Sequence, residues 1–180
     1  MPQHVLRLGV LAMRRPPVTR WGPGQLRPTA VLTPEPATPP NTLLLEEEGT
    51  QTWYLGGRDL TLWSGDTAHH RSNLNSGRAQ VWVALRGNDP ARAEVVCLTA
   101  DPYEGEGLAG DLDLIVEAVP MPDSVRAAVA AFVAEHHVDI EFKKRKRSPT
   151  HPDEADARPG PRILQPADKW ESRRGRRQEP

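Results

Sequence analysis

The stretch Gln51-Thr52-Trp53-Tyr54-Leu55-Gly56-Gly57-Arg58-Asp59-Leu60-Thr61-Leu62-Trp63 decides how the fold is read. Two runs of strand-forming residues flank a Gly-Gly pair, which predicts a β-hairpin with a glycine turn. On the second arm Leu60 and Leu62 share one face, while Asp59, Thr61 and Trp63 share the other. That alternation belongs to a strand covered on one side.

Working outward, His4 to Met13 is apolar at nearly every position except Arg7, as a central strand would be, and Arg14-Arg15-Pro16-Pro17 ends it. Trp21-Gly22-Pro23-Gly24 is a turn cluster, and Thr29 to Leu32 a short second strand. Thr33 to Asn41 holds four prolines and reads as an exposed extended loop. Downstream, Gln80 to Arg86 and Glu94 to Thr99 are strands joined across Gly87-Asn88-Asp89-Pro90. The segment Arg71 to Ser76 between hairpin and next strand reads as a polar connection. The sum is a mainly β domain of about six antiparallel strands, a small barrel or sandwich, α+β once a closing helix is added.

That helix is expected over about 122–137. Pro122 and Asp123 suit a first turn, and Val125, Val129, Phe132 and His136 recur on one stripe with Ala128 beside them. Beyond Lys143 no periodicity survives. Residues 1–142 are therefore expected to form the compact domain, and 143–180 a disordered basic tail.

Composition sharpens this division. The 180 residues carry 23 Lys and Arg against 24 Asp and Glu, a formal charge of −1. From Lys143 onward, however, twelve cations face six acids, leaving an acidic body with a basic tail. The nineteen prolines lie mainly before Asn41 and beyond Ser148, so the stretch between must supply the core. The single cysteine, Cys97, excludes a disulfide framework, and its apolar surroundings predict a buried, inert thiol. No apolar run approaches the length of a membrane span, and the start lacks a secretion signal. A cytoplasmic protein is expected, and the excess of Arg over Lys points to a GC-rich bacterial genome.

Catalytic patterns are absent. There is no phosphate loop with a Lys, no nucleophile elbow and no His-Glu-x-x-His. Gly105, Gly107 and Gly110 sit among acidic residues and read as a flexible turn. The expectation is a non-enzyme with no cofactor, no catalytic residues and no metal. The alternative is a small metal-binding protein or enzyme using His69 and His70 with His136 and His137, though adjacent histidines point apart and seldom share an ion. The run Lys143-Lys144-Arg145-Lys146-Arg147 reads first as solvated tail, then as a protein-docking arm, and third as a nucleic-acid contact. It lacks the interleaved aromatics of a single-strand binder. Arg71, Asn73 and Trp82 complete the expected partner-binding surface, a polar loop bordered by tryptophans.

Several motifs together resemble one proteobacterial family. They are Gly9-Val10 with Arg14-Arg15-Pro16 and Trp21, Arg71-x-Asn73-Leu74, and Val81-Trp82-Val83-x-Leu85-Arg86. Closer matches follow in Thr99-Ala100-x-Pro102-Tyr103-Glu104, Ile115-Val116-Glu117-x-Val119-Pro120-Met121-Pro122, Phe132-Val133-x-x-His136-His137 and Phe142 to Arg147. It is a domain family of unknown function whose members carry the loose label of molybdopterin-guanine dinucleotide biosynthesis proteins. Its genes sit beside those of molybdenum-dependent formate dehydrogenases and their maturation factors. The resemblance implies an accessory or assembly factor whose partner is a formate dehydrogenase subunit or maturation protein, and it carries over no catalytic residue.

Overall fold

A computed structural model describes residues 1–17 and 24–139. Its strands are β1 (Gln3–Arg15), β2 (Gln25–Leu32), β3 (Thr42–Glu47), β4 (Thr50–Trp63), β5 (Gln80–Arg86), β6 (Glu94–Thr99) and β7 (Leu114–Pro120). A 3-10 turn, Ser64–Asp66, leads into α1 (Thr67–Asn75), while α2 (Pro102–Ala109) and α3 (Asp123–His136) follow later. The strands form one mixed sheet in the order β2-β1-β4-β6-β5-β7, with β3 paired to the first half of β4. The sheet curls until β2 approaches β7, where Arg27 and Glu117 pair at 3.4 Å, so it is nearly closed into a barrel.

The barrel interior follows the strand alternation. Leu8, Val10 and Ala12 of β1, Leu60 and Leu62 of β4, and Val81, Val83 and Leu85 of β5 are buried in one cluster. Val125, Val129 and Phe132 of α3 join the same core. Burying side chains of this size contributes roughly 1.5–3 kcal/mol each, which is what holds so short a sheet closed.

The expected hairpin at Gly56-Gly57 is not there. β4 is one fourteen-residue strand, and β1 runs antiparallel along its full length, from Gln3 opposite Trp63 to Arg14 opposite Gln51. Gly56 has φ +111° and sits where the register with β1 shifts, so the glycine serves a bulge instead of a turn. The hairpin turn lies earlier, at Glu48 (φ +49°) and Gly49 (φ +77°), and it joins β4 to β3, a strand the sequence pattern does not reveal. Three close approaches explain the glycines and prolines nearby. The proline-rich segment after β2 straps across the outside of the sheet, with Pro36 over Gly9, Glu35 over Gly57 and Pro40 over Gly56.

Three further expectations change. Seven strands replace six, and one neighbouring pair is parallel: β4 meets β6 through Leu60 and Leu98. The polar connection at Arg71 to Ser76 lies mostly within α1, which buries Thr67, His70 and Asn73 at every third position in place of an apolar stripe. The glycine turn is helix α2: Asp101 caps it by accepting a hydrogen bond from Tyr103 N at 2.8 Å, and Pro102 occupies its first turn. Trp21 and residues 143–180 lie outside the described residues.

Candidate functional site

The chemistry-bearing groups of this domain converge where α1 starts and β6 hands over to α2. Asp66 is the N-cap residue of α1, yet its side chain makes no capping hydrogen bond. Three residues later, one helical turn on, His69 presents its ring on the same side. Asp101 comes from 32 residues downstream, held rigidly at the α2 cap: its backbone N–H donates to Thr99 Oγ1 at 3.0 Å, and its Oδ1 accepts from Tyr103 N. The remaining oxygen, Oδ2, lies 2.8 Å from His69 Nδ1. The Tyr103 ring packs against the His69 ring with centroids 4.6 Å apart. The donor atoms of Asp66, His69 and Asp101 all lie within 4.8 Å of one another.

The four histidines of the metal alternative are divided among different surroundings. His69 is the one in this cluster. His70 is 2% exposed, and among the described residues neither of its ring nitrogens has a hydrogen-bond partner. Burial holds its imidazole below the ordinary histidine range, opposed more weakly by the Ala100 carbonyl and the charges of Asp101 and Asp66. His136 stacks edge-on against Phe132. His137 joins Thr67 Oγ1 and Asp139 Oδ1, both at 3.1 Å, and so pins the end of α3 to the start of α1. Asp139 also accepts Arg71 at 2.9 Å; the hydrogen bond from His137 and then the Arg71 guanidinium hold its carboxyl below the usual range.

The expected partner-binding residues are likewise placed. Asn73 is 3% exposed, and its amide is fully spent: Nδ2 donates to Gln80 O and Ala100 O at 2.8 Å each, and Oδ1 accepts from Gln80 N at 3.0 Å. It ties α1 to β5 and β6. Trp82 is half-buried beneath α2, where its ring fills the space that a Cβ on Gly105 would need. Arg71 is exposed and engaged with Asp139, and the cations at 143–147 lie outside the described residues. Asp66 and Asp101 were the residues sequence reasoning missed. The signals were an Asp-x-x-His spacing and the Asp101-Pro102 helix start, but nothing in the order of residues joins them across the intervening strands.

Two surfaces stand out beyond this cluster. Leu43, Leu44 and Leu45 of β3 are 40%, 49% and 50% exposed, on a strand whose outer edge has no strand partner among the described residues. A cleft of about 370 Å³ opens beside the parallel β4–β6 seam, bordered by Arg58, Trp63, Cys97 and Glu104. Burial pushes the Cys97 thiol up from its ordinary range, with Glu104 adding to the shift and Arg58 opposing it. No helix among the described residues is long and apolar enough to cross a membrane.

The family model described as "Protein of unknown function (DUF3305)" matches residues 7–146. No curated protein and no solved structure matches the chain.

Proposed function

We propose, starting from the fact that the chain belongs to this family of unknown function, that it is a non-enzymatic accessory factor acting by protein contact. The observation that supports this reading is the β3 edge. Three consecutive leucines lie half-exposed on an outermost strand, where natural sheets normally place charge, proline or cover. A partner strand or apolar loop laid along β3 would bury them and pair the backbone groups of the edge. The cations at 143–147 would add charge for an acidic partner. The cellular setting within this proposal is a molybdenum-dependent formate dehydrogenase system in the cytoplasm, and it rests on the family resemblance of the motifs above.

The test is capture of partners from the native bacterium, grown where formate dehydrogenase is expressed, using tagged wild-type chain and Leu44→Lys as paired baits. Recovery of the dehydrogenase or a maturation protein by the wild type, lost with Leu44→Lys, supports the reading. Equal recovery by both baits removes the β3 edge from it. A wild-type bait that recovers neither protein removes the formate dehydrogenase setting.

A further inference from the structure

We propose that Asp66, His69 and Asp101 bind a single divalent first-row transition-metal cation in a six-coordinate site. The donor set is mixed, two carboxylates and one imidazole, and comes from two separate chain segments brought to one point by the α1 and α2 starts. Carboxylate with imidazole suits manganese, iron or cobalt better than it suits calcium or a soft thiolate-bound ion. Among the described residues the Asp66 carboxylate makes no capping hydrogen bond. Two carboxylates held this close repel one another, and a cation between them converts that repulsion into attraction.

The spacing selects the coordination geometry. With metal–ligand bonds of about 2.1 Å, two donors 90° apart on an octahedron are separated by about 3.0 Å, and two tetrahedral donors by about 3.4 Å. His69 Nδ1 and Asp101 Oδ2 are hydrogen-bonded at 2.8 Å, so a cation entering between them displaces the proton they share, and they already stand close to the separation of the first case. Asp101 is fixed by its cap and by Thr99, and the Tyr103 ring restrains His69, so two of the three donors are preorganised. Asp66 is half-buried at the helix start and closes the remaining gap by side-chain rotation. Water fills the other positions, as is usual for such ions.

His70 follows His69 on α1 and turns its ring to a different side of the helix. A histidine 98% removed from solvent with both ring nitrogens unpartnered is uncommon, because an unsatisfied buried polar group costs about 1–3 kcal/mol. Burial acts on this ring first and the Ala100 carbonyl next, with Asp101, Asp66 and His69 contributing less.

The full chain, tag-free and stripped with a chelator, is titrated with Mn²⁺ and followed by the six-line paramagnetic signal of the free ion. One tightly bound equivalent is expected. His69→Ala and Asp101→Asn should each weaken it at least about tenfold, and Glu135→Gln, on α3, should leave it unchanged. His69→Ala keeps the helix, since Ala is the better helix former, and Asn retains the cap at 101. With Co²⁺ the visible absorption should be weak, as for six-coordinate ions. Absence of a bound equivalent, or equal affinity in all variants, overturns the site; an intense tetrahedral cobalt spectrum overturns the six-coordinate assignment.

Discussion

Gly105 of α2 lies directly on Trp82 of β5, so closely that a Cβ at position 105 would fall within the indole ring. The nearest atom is the indole Cγ, bonded directly to the Trp82 Cβ, so it is not the far end of a flexible side chain that could swing clear. Gly105→Ala should therefore destabilise the fold by about 1–3 kcal/mol, the usual cost of overpacking. Gly107, one half-turn on, has nothing within 4 Å of its would-be Cβ. Gly107→Ala should be neutral or stabilise by up to about 1 kcal/mol, since Ala is the better helix former. Denaturant unfolding of the two variants side by side checks both signs.

Asn73 carries the second prediction. Its amide closes three hydrogen bonds to Gln80 and Ala100 inside the protein. Asn73→Ala would leave two carbonyls and one N–H unpaired in a place water scarcely reaches. A loss of about 2–3 kcal/mol is expected, more than for an exposed polar residue. Asn73→Asp keeps one acceptor but loses both donors, so it should fare little better. Retention of wild-type stability by either variant would show that this tie between α1 and the sheet is not a structural one.

These two residues also show what can be read from a sequence of this kind. The strands Gln80–Arg86 and Glu94–Thr99 were legible to the residue, because both are short apolar runs split by a turn cluster that needs Gly87 at φ +89°. Gly56-Gly57 misled: a glycine pair in a strand context signals a turn when the chain folds back and a bulge when a neighbour crosses over, and the crossing strap lies twenty residues away. Helix α1 escaped because its buried face is Thr67, His70 and Asn73, all polar side chains, so no apolar periodicity marks it. Helix α2 carried a proper start at Asp101-Pro102, outweighed in the reading by three glycines, one of which exists for Trp82. Of the candidate cation site only His69 was legible, since Asp66 and Asp101 matter through a fold that places them together.

Cys97 supplies a prediction in pH. Burial raises its thiol, so at pH 8 the folded chain holds a smaller thiolate fraction than the unfolded one. The sign follows: this proton stabilises the fold fully below the ordinary thiol range, and that contribution is lost as pH rises through the raised folded value. Alkylation at pH 8 should be slower in the native chain than in guanidinium, and the native rate should keep rising at pH values where the denatured rate has levelled off. Equal native and denatured rates would mean an open, ordinary thiol.

Gly57 and Glu35 make the sharpest contrast with Gly105. A Cβ at position 57 also meets atoms at impossible range, but they are the carboxylate end of Glu35, a flexible side chain that can swing away. What it would abandon is its pair with Arg7, at 2.8 Å and half-exposed. An exposed ion pair of this kind contributes little, because water screens it and its long side chains lose freedom in forming it. Gly57→Ala should therefore cost no more than Glu35→Ala does, and the two together should cost about the same as either alone. A double-mutant cycle by denaturant unfolding measures this directly, the expected result being a coupling of about the size of the single losses. Additive losses would instead mean that the added methyl group strains β4 itself, with the strap playing no part.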